Sequence, residues 1–418
     1  MSANGNGASA NGNGTRRTVL RQLPPFVRWY IEAAGEYLVP EVFHYWCALS
    51  LLAAFAAKRY WYEHIRGNPL HPNLYIGLIG HSASGKGLAI RNAVTCIRPD
   101  LVFEGEKYGA EFPYLYSGRV TAQALVTHLT KLSKKVDDQI AEFYMVFPEL
   151  GQSLDMPQSM VSGFVRMLTG AYDDTGAPWS DLTRTFGFHH APQAYLNWLF
   201  GTTAEWMHDT IKDIDFQGGF AGRILPILVE DREPFKYKPS YTPLQPEFRE
   251  YVQLHLRAVR SGGGPFEMTG DAEDMDAMWC GQRYNELPGD ERLHPFVLRG
   301  GTLAKKLAML FSLARDPRQR RIEAIDMRCA QQAVDAVERE LPRVLDLVFT
   351  NDSTRAMELF KQLVREHGTV PRSMVMRYLM RQCGRSRKDV LEYESTLVFG
   401  RFISIDFSHD TYVWAQPA

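Results

Sequence analysis

Leu74-Tyr75-Ile76-Gly77-Leu78-Ile79-Gly80-His81-Ser82-Ala83-Ser84-Gly85-Lys86-Gly87 is the stretch on which the fold turns. A short apolar run rich in strand formers gives way to small residues and then to a helical pattern, so strand, loop and helix follow one another. The loop satisfies G-x-x-x-x-G-K in the strand-to-helix setting where that spacing cradles phosphate. Small residues let backbone N–H groups curl around an anion, and the helix from Gly87 onward points its positive end at it. Lys86 neutralises the β- and γ-phosphates. Gly80, His81, Ser82, Ala83, Ser84, Gly85, Lys86 and Gly87 are therefore the expected nucleotide-binding residues.

Two positions depart from what nucleotide hydrolysis usually asks for. Gly87 stands where a Ser or Thr hydroxyl binds Mg²⁺. A second strand, Phe143 to Phe147, runs into Pro148-Glu149-Leu150-Gly151, where Glu149 takes the place of a water-activating base and Pro148 that of an Asp. Both customary protein handles on the metal are missing. Either Mg²⁺ is held by phosphates and water alone, or Ser82, Ser84 or Asp155 substitutes.

A third strand, Tyr195 to Phe200, leads into Gly201-Thr202-Thr203-Ala204-Glu205. Asn197, Thr202 and Thr203 are candidates for sensing a γ-phosphate, and a Thr-capped helix from Ala204 is the structural alternative. Arg223 opens a fourth strand candidate, Arg223 to Val229, after Gly218-Gly219-Phe220-Ala221-Gly222. It suits an arginine finger reaching a neighbouring subunit's nucleotide, or a surface salt bridge. Arg299 is a further phosphate-sensing candidate. The pair His189-His190 lacks helical metal-ligand spacing and reads as structural.

Around this core the texture changes. The 418 residues, 45% hydrophobic and 23% charged, suit a globular chain of two or three domains. The net charge of −1 offers no global field for polyanions, so any nucleic-acid contact is local. Five scattered cysteines without C-x-x-C spacing indicate neither a disulfide frame nor a zinc site and suit a reducing cytoplasm. Residues 1–23 read as a disordered low-complexity tail. Residues 24–70 read as a helical N-terminal region whose apolar run, Tyr45 to Ala57, is too short to span a membrane. Alternating strands and helices over 71–235 predict an α/β ATPase core. Prolines 234, 239, 243 and 246 mark a boundary, 236–349 returns to helix as a lid or bundle, and 350–418 forms the last domain.

That last domain shows helices at Arg355–Glu366, Pro371–Arg381 and Arg387–Val398, then two short strands around Ser408-His409-Asp410. Three helices followed by a hairpin is a winged-helix pattern. Arg381, Arg385, Arg387 and Lys388 cluster at the start of its third helix, where a recognition helix meets nucleic acid, whereas Asp389, Glu392 and Glu394 nearby favour protein docking.

The order of these features resembles the P-loop ATPases of phages, plasmids and integrated elements that accompany or fuse to primases, relatives of replicative helicases. Leu51–Ala57, His71-Pro72-Asn73-Leu74-Tyr75 leading into Gly80–Lys86, Pro148–Gly151, Gly201–Trp206, Gly219–Arg223 and Leu303–Ala308 carry the likeness, over roughly Pro25 to Glu340. The resemblance implies a RecA- or AAA-like core, ATP with Mg²⁺, a hexameric ring, a primase or other replication partner, and translocation on DNA. By residue it implies Lys86 for phosphate, Glu149 for water, Thr202 or Thr203 for sensing and Arg223 as the finger. The alternative expectation is a weakly hydrolysing adaptor that binds nucleotide and recruits a partner through the winged helix.

Overall fold

The computed structural model describes residues 23–34, 39–63, 69–97, 114–135, 140–173, 179–183, 187–191, 193–211, 219–220, 222–230, 246–349, 352–382 and 386–415. Most of the expected N-terminal tail, nearly all of the proline-rich boundary, and Arg385 lie outside the described residues. The chain divides into two compact units, residues 1–344 and 345–418.

The first unit opens with helices α1 (Pro25–Ala34) and α2 (Glu41–Ala56), then short strands β1 (Tyr60–Glu63) and β2 (Pro69–Leu70). The chain continues through β3 (Tyr75–Gly80), α3 (Lys86–Ile97), β4 (Tyr114–Tyr116), α4 (Ala122–Lys135), β5 (Ile140–Phe147), α5 (Leu150–Ser153) and α6 (Gln158–Tyr172). A hairpin, β6 (Trp179–Thr183) and β7 (Gly187–Ala191), precedes β8 (Gln193–Thr202), α7 (Ala204–Thr210) and β9 (Ile224–Val229). Helices α8 (Pro246–Ser261), α9 (Gly270–Asn285), α10 (His294–Arg315) and α11 (Ala324–Phe349) follow, with strands β10 (Gly264–Met268) and β11 (Arg321–Ile322) between them.

Five strands form one parallel sheet in the order β4-β5-β8-β3-β9. Every residue of β3 is buried, as expected of a strand covered on both faces in a parallel sheet. The apolar helix α2 contacts β3, β8 and α3 and is buried along nearly its whole length, so its all-round hydrophobicity serves a core. No helix among the described residues is long and apolar enough to cross a membrane. The described cysteines are free.

Gly77 makes the central pairing possible, because a Cβ there would lie 2.7 Å from Cζ of the fully buried Phe200. Gly77→Val is expected to destabilise the unit by about 3 kcal/mol, since a packed core relaxes little around added volume. A shifted urea midpoint at unchanged slope would report this.

The regions read as wholly helical carry a second, four-stranded sheet in the order β11-β10-β1-β2. Tyr60 pairs in parallel with Gly264, and Glu267 with Arg321. These strands are too short to show a period of two. The glycine run leading into β10 is a site of close approach: a side chain on Gly262 would overlap the Tyr60 hydroxyl.

The second unit runs α12 (Asp352–His367), β12 (Thr369–Pro371), α13 (Arg372–Gln382), α14 (Arg387–Phe399), β13 (Ile403–Asp406) and β14 (Thr411–Trp414). Its antiparallel sheet has the order β12-β14-β13. Phe360 and Val364 of α12, Leu379 of α13, Val390 and Leu397 of α14 and Tyr412 of β14 are buried in its own core. Arg372 ties the elements together, donating to Glu394 at 2.7 Å and to Asp410 at 3.1 Å, while the Tyr412 hydroxyl donates to Glu394.

Candidate functional site

All five strands of the large sheet are parallel, so their C-terminal ends share one edge, where open α/β sheets bind ligands. The register aligns those ends. Ile79 pairs with Thr202, Gly80 with Val229, and Phe147 with Phe200. Because β8 lies between β5 and β3, the segments beginning at Gly80, Pro148 and Gly201 leave the sheet side by side.

The approach is tight. A Cβ on Gly201 would stand 2.7 Å from the Pro148 carbonyl oxygen and 3.3 Å from the Lys86 Cβ, so only glycine lets β8 end there. A Cβ on Gly80 would stand 2.8 Å from the Val229 carbonyl oxygen. The loop between β3 and α3 turns through left-handed conformations at Ala83 (φ 63°) and Gly85 (φ 88°). The alanine costs about 1–2 kcal/mol in that region, so the surrounding loop holds it there. Inside this turn the Lys86 ammonium is 4% exposed as a residue and donates to the Gly80 carbonyl at 2.8 Å, the His81 carbonyl at 2.7 Å and Ser84 Oγ at 3.2 Å. Burial pulls its pKa below the ordinary lysine value, and the charges of Glu149 and Glu205 act against that shift.

Glu149 is exposed at the N-cap position of the short α5, two residues after the end of β5, and its side chain makes no capping bond. Glu205 is exposed in the first turn of α7, and no role for it was read from sequence. It enters through tertiary structure: the Trp206 indole packs over Gly151, whose added Cβ would lie 2.8 Å from Nε1, so the starts of α5 and α7 abut. The signal that could have found it is a carboxylate within three residues of the Thr202 strand end. Thr202 is buried at the shared edge and donates to the Thr203 carbonyl at 3.2 Å. Thr203 takes the capping role, its hydroxyl accepting from the Trp206 N–H at 3.2 Å.

Asn197 needs correction. It lies five positions before Thr202, about 16 Å back along β8, and its Oδ1 accepts the Leu74 N–H at 2.9 Å. It fastens the entry to β3 and is remote from the loop at residues 80–87. Arg223 also lies at that far edge, since Ile224 pairs with Tyr75. Its guanidinium donates to Asp173 Oδ2 at 2.5 and 3.1 Å and to the Gly219 carbonyl at 2.6 Å. Arg299 donates to both oxygens of the same Asp173 at 3.0 Å. His189 and His190 lie on β7, and no more is described of them than their backbone.

Gly87, Pro148, Ser84 and Asp155 do not fit a protein-held Mg²⁺. Gly87 offers no side-chain oxygen, and the Pro148 carbonyl oxygen lies 3.6 Å from where its Cβ would be. Asp155 is paired with Arg119 at 2.7 Å, and Ser84 Oγ accepts from Lys86. Among the described residues no group of three or more His, Cys, Asp or Glu side chains is placed to hold a metal ion.

No family model matches the chain, and no curated protein matches it. Chemical meaning at this edge rests on its geometry: a buried ammonium inside a turn of amides, flanked by two exposed carboxylates and a buried threonine. Such a constellation can hold a phosphate chain and present a base to water beside it.

On the second unit, Arg381, Arg387 and Lys388 are exposed. Of the acidic residues beside them, Asp389 closes a capping box with Ser386, and Glu394 is held by Arg372 and Tyr412. Glu392 is exposed.

Proposed function

We propose that this chain is a P-loop ATPase with a RecA- or AAA-like core and a winged-helix unit, assembling as a hexameric ring that moves DNA in the cytoplasm. The observation that carries the reading is the insertion of β8 between β3 and β5, which brings the Lys86 loop, Glu149 and Thr202 to one edge. Lys86 and the loop amides bind the triphosphate. Glu149 takes a proton from the attacking water, and Thr202 contacts the γ-phosphate. Any Mg²⁺ would enter with the nucleotide, because positions 87 and 148 give it no side-chain ligand, and it would supply charge neutralisation on the phosphates.

Arg223 fits action in trans. In a ring of head-to-tail contacts each subunit turns opposite surfaces to its two neighbours. A residue at the far edge of the sheet is therefore suited to a neighbour's nucleotide and unsuited to its own. The test is ATP turnover with and without single- and double-stranded DNA, together with mass in solution with and without nucleotide. Rise of turnover with DNA and assembly with nucleotide are expected. Turnover no higher than that of Lys86→Ala contradicts the motor.

DNA contact through α14 is supported by the pairing of Glu394 with Arg372, which offsets one of the three charges opposing Arg387 and Lys388. Replacing either base by Ala is expected to reduce the slope of log affinity against log salt by about 1, read by anisotropy of a labelled duplex. An unchanged slope for both assigns α14 to protein docking. The absence of a protein handle on Mg²⁺ favours a second reading, an adaptor that binds ATP, hydrolyses it slowly and recruits a partner such as a primase.

A further inference from the structure

At the far edge of the sheet Arg223 shares its carboxylate partner with a second arginine, to which the motor reading gives no role. Asp173, at the C-terminal end of α6, accepts four N–H donors from two arginines, Arg223 before β9 and Arg299 in α10. Three of the four converge on Oδ2 and one on Oδ1. Two guanidiniums facing one carboxylate leave one positive charge in excess. Among the described residues no second carboxylate pairs with either arginine.

The junction is built for these two side chains. A Cβ on Gly219 (φ 104°) would stand 2.6 Å from Arg223 Nη1, and one on Gly222 would stand 2.7 Å from Arg299 Cδ. The pair is also within reach: the Asp173 and Arg299 side chains are 32% and 31% exposed. A carboxylate released here returns to water and not to an apolar interior. Burial alone would raise the Asp173 pKa, but hydrogen bonding by Arg299 and the charges of both arginines hold it below the ordinary aspartate range. The carboxyl is thus ionised near neutrality and occupies the fork as an anion.

A terminal phosphate suits this fork better than Asp173 does. It offers three oxygens to donors that now crowd one, and it carries more negative charge. We infer that Arg223 and Arg299 together form a second anion site, for the terminal phosphate of the nucleotide on a neighbouring copy, and that Asp173 is the internal occupant this phosphate displaces. The inference rests on the proposed ATPase reading and adds a latch to it. In a lone subunit the arginines are held by Asp173, and docking of a loaded neighbour exchanges carboxylate for phosphate.

Complementation between copies tests this. An Arg223→Ala chain, which keeps its phosphate loop, is mixed with a Lys86→Ala donor, which keeps its arginines, and ATP turnover of the mixture is measured. Recovery of turnover is expected. A Lys86→Ala/Asp173→Asn donor should recover at least twofold more at equal concentration, and a Lys86→Ala/Arg299→Gln donor at least fivefold less. Equal or lower recovery with the Asp173→Asn donor, at a melting temperature within a few degrees of its parent, overturns the latch.

Should Asp173→Asn not fold, the Arg299→Gln donor decides, since full recovery with it excludes a two-arginine site. A second readout avoids turnover. Tripolyphosphate should raise the melting temperature of the Lys86→Ala chain, more so with Asp173→Asn and not at all with Arg299→Gln, and an equal rise in all three contradicts the site. Failure of the wild-type chain to bind ATP removes the ATPase reading and this inference together, whereas ATP binding without any recovery removes this inference alone.

Discussion

Lys86→Ala is expected to lower ATP affinity by about 100-fold or more, equivalent to about 2.7 kcal/mol. The ammonium is buried inside the turn and already donates to three oxygens of its own loop. Charge-assisted hydrogen bonds contribute about 1.5–3 kcal/mol each, so an ammonium that turns from His81 and Ser84 toward phosphate oxygens supplies a loss of this size when removed. Titration of a fluorescent ATP analogue, followed by anisotropy, reads the effect directly. Since Lys86 also braces the Gly80 carbonyl, the melting temperature of the variant is measured alongside. A variant that melts normally and still binds ATP within threefold of wild type contradicts the assignment.

Glu149→Gln is expected to reduce the rate of ATP cleavage by about 10²–10⁴-fold, the usual contribution of a positioned general base. ATP affinity should hold or rise slightly, because one of two negative charges acting on the Lys86 ammonium is removed. Single-turnover measurement separates cleavage from product release. The same exchange at Glu205 is the control that distinguishes a base from a nearby charge. Equal losses for both place the water between the two carboxylates. Loss of affinity with an unchanged cleavage rate contradicts the role given to Glu149.

The strand, turn and helix around residues 80–87 were legible because everything they need is local: β3, the glycine-spaced turn and the start of α3 are contiguous in sequence. The strand candidates at 143–147, 195–200 and 223–229 correspond to β5, β8 and β9. Which strands are neighbours was not legible, because pairing of β8 with both β3 and β5 is a tertiary choice. That choice decides the site. It brings Glu205 close to Lys86, although no motif marks the residue, and it leaves Asn197 in the middle of a strand longer than its apolar run, beside the entry to β3.

Other features had no sequence signal of their own. Strands β1, β10 and β11 are short, and each is stabilised by partners far away in the chain. Asp173 reads as an ordinary polar residue after a helix, and only the meeting of α6, α10 and the start of β9 makes it the anchor of two arginines. In the second unit the partners of Asp389 and Glu394 also had no sequence signal. Asp389 is spent on capping α14 and Glu394 on bracing α13 against β14.

The central claim, that residues 80–87 grip a polyphosphate, is tested most directly by a crystal structure of the full chain grown with a non-hydrolysable ATP analogue. The expected result is a triphosphate seated in that turn, with Lys86 Nζ moved from the His81 and Ser84 oxygens onto phosphate. A loop unchanged from the arrangement described above, with the analogue bound elsewhere or not at all at millimolar concentration, would contradict it.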